Sequence, residues 1–296
     1  MYRSTNGEII VPSRSSTLAA AVAVTLGWSS IAYAVPATGL LGGTSIFNFD
    51  TTAPGTSSAA VAISGLSAGE SVLGIDFRPT NGVLYGLGTS GRLYTINSAT
   101  GAATFASTLS TGLTGGDYDI SFNPTVDRLR IVGTSGQNLR VNVDTGAVTV
   151  DGTLAYAAGD ANAATSPSIV GAGYTNQNAG TVATTTLYDL DAANATLVSQ
   201  APPNNGTLNT IGRLGVNGIN SFDIDARTGI AYAATNSALY QVNLTTGAAS
   251  SIGTFSNASL TDFTLTPVPE PMTLGLLGAG LVALVATRRK TVAHTA

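Results

Sequence analysis

The chain repeats itself, and the repeat limits what it can fold into. Gly74-Ile-Asp-Phe-Arg-Pro-Thr-Asn-Gly-Val-Leu-Tyr85 returns as Ser221-Phe-Asp-Ile-Asp-Ala-Arg-Thr-Gly-Ile-Ala-Tyr232. A second unit, Leu93-Tyr-Thr-Ile-Asn-Ser-Ala-Thr-Gly101, returns at Leu139–Gly146 and Leu239–Gly247, and more weakly at Phe47–Gly55 and Leu187–Ala195. The units end at 55, 101, 146, 195 and 247, which are 46, 45, 49 and 52 residues apart. Alternating strands with Asn-Gly or Thr-Gly turns at such a period read as propeller blades of roughly 40–45 residues each. The expectation is an all-β, five-bladed β-propeller. The fourth unit, around Ile169 to Ser199, fits the pattern worst.

The ring is expected to close on itself. Blades should open with an inner strand such as Ile75-Asp-Phe77 or Ile120-Ser-Phe122, and the first unit has none. Thr261-Asp-Phe-Thr-Leu-Thr266 supplies one at the far end of the chain. Pairing this C-terminal strand with the N-terminal blade leaves no free sheet edge, which favours a propeller over a flat β-solenoid.

Both ends of the chain carry other signals. Arg3 and Arg14 precede an apolar stretch, Leu18 to Leu26, and then Ala32-Tyr33-Ala34. This order of basic region, short apolar core and small-x-small site describes a secretory signal peptide over residues 1–34, cut between Ala34 and Val35. The region before Leu18 is long for such a signal, which leaves a downstream start open. At the other end, Val268-Pro269-Glu270-Pro271 leads into an apolar run, Met272 to Thr287, and then Arg288-Arg289-Lys290. Prolines 267, 269 and 271 end any preceding strand. The uncharged stretch from Thr273 to Ala286 is 14 residues, against the roughly 17 a permanent span needs, and the basic cluster would stay cytoplasmic. A marginal span suits a segment held briefly and then cut; a buried C-terminal helix is the alternative. The tail, residues 268–296, resembles the PEP-CTERM sorting signal of exopolysaccharide-producing Gram-negative bacteria. That resemblance implies an inner-membrane intermediate held by a hydrophobic helix (272–287) and processed at Pro269-Glu270-Pro271 with Arg288 and Arg289 behind. It also implies an exosortase-type enzyme as partner, and a final place at the cell surface or in the extracellular matrix.

Between the signals, residues 35–267 contain no Cys, His, Lys or Trp, and their seven arginines face fourteen acids, a net charge of −7. Such a surface repels nucleic acid, which requires a phosphate-neutralising patch. Without cysteine, stability in an oxidising compartment comes from the core alone.

Phe122-Asn-Pro-Thr-Val-Asp-Arg-Leu-Arg130 followed by Gly136-Gln-Asn-Leu-Arg-Val-Asn-Val-Asp-Thr-Gly146 resembles the bacterial domain of unknown function 4394. Pro202-Pro-Asn-Asn-Gly-Thr-Leu208 and Gly74-Ile-Asp-Phe-Arg-Pro79 resemble further motifs of that family. The resemblance runs from about Thr44 to Pro267. It implies a propeller-like secreted domain and no activity.

The missing residue types exclude most catalysis. There is no Ser-His-Asp or Cys-His nucleophile, no His-based zinc site and no Schiff base. Carboxylates, Arg, Tyr, hydroxyls and amides remain, and these suit calcium binding, sugar binding or a two-carboxyl glycosidase. Gly86-Leu-Gly-Thr-Ser-Gly91 spells GxGxxG, but strand-like Arg92–Asn97 follows where a dinucleotide site needs a helix, so it reads as a hairpin turn. Asp76, Asp223 and Asp262 are expected at equivalent inner-strand positions, with Ser121 in that place in another blade. There they either ring one mouth of the channel and hold calcium, or hydrogen-bond a neighbouring loop or turn in each blade. Arg128, Arg130 and Arg140 either form inter-blade salt bridges with Asp127, Asp144 or Asp151, or join Asn138 in recognising an acidic sugar. Asn204 and Asn205 sit in a turn-forming loop whose amides would reach a polar ligand.

The expected function is a non-catalytic interaction module that binds exopolysaccharide of the biofilm matrix or a surface partner. Two alternatives stand beside it. A glycan-cleaving enzyme would need two carboxyls at one mouth, and Glu70 is the only glutamate between the signals. A matrix spacer would show no pocket rich in Tyr, Asn and Arg.

Overall fold

The computed structural model describes residues 34–178, 182–257 and 259–267. They form five sheets, one per blade. The first blade holds β1 (Pro36–Leu41), β2 (Ser45–Asp50) and β3 (Val61–Ala62); the second holds β4 (Val72–Arg78), β5 (Val83–Gly88), β6 (Arg92–Ile96) and β7 (Ala103–Thr108). The third is β8 (Tyr118–Asn123), β9 (Arg128–Gly133), β10 (Asn138–Val141) and β11 (Val148–Val150). In the fourth, β12 (Ala155–Tyr156) adds outside β13 (Ile169–Tyr174), β14 (Leu187–Asp191), β15 (Thr196–Gln200) and β16 (Thr207–Arg213). The fifth is β17 (Ile219–Ile224), β18 (Ala231–Thr235), β19 (Ala238–Val242) and β20 (Ala249–Thr254). The last strand, β21 (Leu260–Leu265), returns to the first blade as its inner strand, antiparallel to β1 with Ala37 opposite Leu265. The protein is a five-bladed β-propeller whose ring closes through its C-terminal strand, and this closure rules out the solenoid.

The repeated Asn-x-x-Thr-Gly segments have a local cause. In the second blade Asn97 Oδ1 accepts the Ala99 and Thr100 N–H groups, and Gly101 takes φ 71° to bond back to the Asn97 carbonyl at 2.8 Å. A Cβ on Gly101 would stand 2.3 Å from the Ala62 carbonyl oxygen, so only glycine fits. Asn243 and Gly247 repeat the turn in the fifth blade. In the fourth blade the expected equivalence fails. Leu187–Ala195 forms the second strand and its following turn, whereas the other units form the third strand and the turn after it. The Gly86–Gly91 stretch is the end of β5 and its turn into β6, as its strand-like flanks predict.

Apolar faces meet between blades. Five buried clusters occupy the five blade interfaces, for instance Leu87, Leu93 and Ile131 between the second and third, and Phe47, Phe263 and Leu239 between the first and fifth. Each fully buried Leu or Phe contributes roughly 1.5–3 kcal/mol. No helix among the described residues is long and apolar enough to cross a membrane. The expected leader and the expected hydrophobic helix at 272–287, with Pro269, Glu270, Pro271, Arg288 and Arg289, lie outside the described residues.

Candidate functional site

The axis of the ring is built from strand alternation. The five inner strands turn every second side chain toward the channel, which gives two tiers. The first holds Gly74, Asp119, Gly171, Ser221 and Asp262, and the second holds Asp76, Ser121, Gly173, Asp223 and Thr264. The tiers are defined by what each side chain bonds. Asp262 accepts the Ile75 N–H of the next blade and Asp119 accepts that of Ala172, both at 2.7 Å. One dyad further along, Asp76 accepts the Phe122 N–H and Asp223 that of Leu265, again at 2.7 Å. Ser121 and Ser221 receive the N–H groups of Tyr174 and Phe263 in the same direction round the ring. Blade four has glycines in both tiers because Phe222 fills the space: a Cβ on Gly171 would stand 2.7 Å from the Phe222 Cβ.

This geometry corrects two expectations. Asp262 is not equivalent to Asp76 and Asp223, because it lies in the other tier, where Asp119 is its counterpart. The set of Asp76, Asp223 and Asp262 also does not gather as a calcium site. One oxygen of each accepts a backbone N–H of a neighbouring inner strand and the other the N–H of the next residue on its own strand, and no group of three or more acids among the described residues is placed to hold a metal. The carboxylates latch strand to strand, where the sequence reading had expected contact with a loop or turn.

All four axial acids are buried. Burial, and then the facing Asp223, hold Asp76 well above the usual carboxylate range; burial and Asp262 do the same to Asp119. Burial pushes Asp262 up to about 7 and Asp223 up to about 6, even though their N–H bonds pull the other way.

At the C-terminal ends of the inner strands Gln177 packs against the second and third blades: the buried amide donates to Ser121 Oγ and the Phe122 carbonyl at 2.9 Å, and to Asp76 at 3.4 Å. At the opposite mouth a funnel of about 430 Å³ opens, walled by residues from all five inner strands. Its polar groups are Ser71, Asp117, Asn220, Asn236 and Thr261, set beside the aliphatic faces of Val72, Leu73 and Val170. Asn220 donates to the Leu260 carbonyl at 2.7 Å and to Asn236 at 3.3 Å, while its own buried Oδ1 has no partner. Nothing in the sequence pattern singled out this funnel, because its residues come from the starts of five inner strands and from the turns at Gly42-Gly43 and Asn236.

The arginine cluster assembles, but inward. Arg130 is fully buried and donates to Asn138 Oδ1 (2.7 Å), Asp151 (2.6 Å), Asn204 Oδ1 (2.9 Å) and the Tyr174 hydroxyl (3.3 Å). Arg140 grips Asp151 with two bonds, and Asn138 donates to the carbonyls of Gly152 and Pro203. The charge pairing with Asp151 is therefore within blade three, and amides and Tyr174 carry the contact to blade four. Asn205 is exposed beside this contact. Arg128 donates to the Val126 and Asp127 carbonyls and forms, with Arg140 and Asn142, the wall of a groove of about 210 Å³.

Two features were missed from sequence. Arg78 makes the inter-blade ion pairs that were assigned to its neighbours, clamping Asp127 and Asp144 with two bonds each. Those bonds, ahead of the opposing burial, lower Asp127 and Asp144 below the usual range. Asp189, buried between blades three and four, has no hydrogen-bond partner on either oxygen, and burial pushes it up to about 8 against the pull of Arg130.

Among solved structures, three chains are similar to this one at low identity. A chain of the nidogen/laminin complex is 12% identical with a TM-score of 0.44, over 80% of this chain and all of that one. A structural genomics protein of unknown function from Bacteroides thetaiotaomicron is 15% identical with a TM-score of 0.48, over 78% of this chain and 66% of its own. An auxiliary nutrient binding protein of the same organism is 13% identical with a TM-score of 0.44, over 66% and 56%. No curated protein sequence matches the chain. Family models match over residues 45–264 and 267–290. The chain belongs to the family described as Domain of unknown function (DUF4394), and its PEP-CTERM protein-sorting motif marks it as an exported surface protein processed by an exosortase-type enzyme.

Proposed function

We propose that this exported propeller is a non-catalytic interaction module and that its ligand, a strand of matrix exopolysaccharide, enters the axial funnel. The observation that carries the reading is the funnel wall: amides and hydroxyls beside aliphatic surface. Its volume lies within the roughly 300–1,000 Å³ of small-ligand sites, and this mixture of groups suits a neutral, hydroxyl-rich chain. Hydrolysis would need a second carboxyl about 5–10 Å from the first. Asp117 is the one acid in the wall, and Asp119 and Asp262 beneath it are buried on backbone N–H groups. The groove between Arg128 and Arg140 supports a second reading, recognition of an acidic sugar.

Co-sedimentation of residues 34–267 with the producing cell's own exopolysaccharide tests both. Asn236→Trp should abolish retention if the funnel is the site, and Arg128→Ala should do so if the groove is. No retention of the unmodified domain, with or without calcium, would refute the polysaccharide reading.

A further inference from the structure

Both ends of the described chain leave the ring at one mouth, and the funnel opens at the other. β21 starts beside the funnel wall at Thr261, and its continuation, Thr266 and Pro267, lines a small cavity at the far mouth with Gln177 and Asp223. β1 runs antiparallel to it, and the Thr266 N–H donates to the Pro36 carbonyl at 2.8 Å. Ala34, the first described residue, therefore emerges at the same mouth as Pro267. An inner strand of six residues separates the mouths by ~20 Å at ~3.3 Å per residue.

The sorting motif begins at residue 267, two residues beyond the closing strand. From Leu265 to Thr273, where the uncharged run starts, the chain advances eight residues, three of them proline. Even at the full extension of ~3.6 Å per residue, this tether reaches at most ~29 Å. A domain of this length has a radius of gyration of ~17 Å, so carrying the tether outward from the axis and up to the funnel rim needs ~40 Å. The tether is too short for the domain to turn over.

We propose that the fold sets the direction of display: while the sorting tail is held in the membrane, the Gln177 mouth faces the bilayer and its sorting enzyme, and the funnel faces away. The inference rests on the sorting motif and the strand direction, and holds whatever the funnel binds.

The chain has no cysteine, so single reporters are clean. Asn236→Cys reports the funnel rim, and Ala226→Cys or Asn178→Cys the other mouth. The full chain is expressed in a host without a sorting enzyme, and spheroplasts are labelled with a bulky, membrane-impermeant maleimide. Each rate is compared with that of the same variant as detached residues 34–267. The expected result is an unchanged rate for Asn236→Cys and a several-fold slower rate for the opposite-mouth reporters in the membrane-held form. Equal slowing at both mouths, slowing at neither, or slowing at Asn236→Cys alone overturns the proposal.

Discussion

The axial acids make stability fall as pH rises, and the direction follows from their proton count. Asp262 titrates at about 7 in the fold against 3.8 when unperturbed. Between those values the native state holds a proton that the unfolded chain has released, so the slope of unfolding free energy with pH is negative. The contribution is complete below pH ~4 and is lost as pH climbs through ~7. A shift of about three units is worth about 4 kcal/mol at 1.36 kcal/mol per unit. For a domain of 150–250 residues, each kcal/mol moves Tm by ~2–4 °C, so the expected drop between pH 4.5 and pH 8 is about 10 °C. Asp223, Asp76 and Asp119 shift in the same direction, and their protons leave as a set because the groups face one another. Asp127 and Asp144 act oppositely: their stabilisation by Arg78 is lost as pH falls below ~4, which places the optimum at about pH 4 to 5. Scanning calorimetry of residues 34–267 across pH 3 to 9 measures this directly. Asp262→Asn should make the upper limb shallower, because an amide has no proton to lose, while Asp76, Asp119 and Asp223 keep the remaining slope. A wild-type Tm that is level or rising from pH 4.5 to pH 8 would refute the reasoning.

Two substitutions probe the ion pairs. Arg78→Gln should cost about 2 kcal/mol, below the figure for a fully buried pair because Asp127 and Asp144 are 30% and 59% exposed, read as a lower urea midpoint at unchanged m-value. Arg130→Met removes a buried guanidinium that bonds Asn138, Asp151, Asn204 and Tyr174; Asp151 keeps Arg140, so the loss should sit near the low end of the range for a broken buried pair, about 3 kcal/mol by the same assay.

The sequence disclosed the ring because one piece of local chemistry, a third strand running into an Asx turn closed by a left-handed glycine, recurs with little change at Asn97, Asn142 and Asn243. It misled at Leu187 because alternating apolar residues before a polar turn describe any hairpin, and which hairpin of the blade is formed depends on non-local pairing. The Asp262 error has a related cause. Side chains alternate with a period of two, so a slip of two residues leaves every channel-facing residue facing the channel. The residue types predicted the axial acids correctly, but only the N–H each one reaches fixes its tier. Arg78 was invisible for a different reason: its partners lie 49 and 66 positions away. The funnel is assembled from short pieces at the starts of the inner strands and from the turns at Gly42-Gly43 and Asn236, none of which forms a motif alone.

The distribution of acids within the tiers follows from the number of blades. In a ring of five positions at most two can be occupied without two occupants being neighbours, and each tier holds two aspartates placed that way. In the first tier Asp262 and Asp119 are kept apart by Gly74 on one side and by Gly171 and Ser221 on the other. In the second, Thr264 stands between Asp76 and Asp223 and its hydroxyl lies 2.9 Å from one carboxylate and 3.1 Å from the other, while Ser121 and Gly173 fill the remaining arc. A third acid in either tier would have to sit beside another, adding like-charge repulsion to a burial penalty that already lifts these groups into the neutral range. The latches also concentrate at the closure. β21 donates its Leu265 and Phe263 N–H groups to Asp223 and Ser221 of the fifth blade, and its Asp262 accepts the Ile75 N–H of the second, so the strand with the least chain connectivity to its own blade is held from both sides. That same strand continues directly into the sorting motif, so any pull on the tail is borne first by the contacts that close the ring.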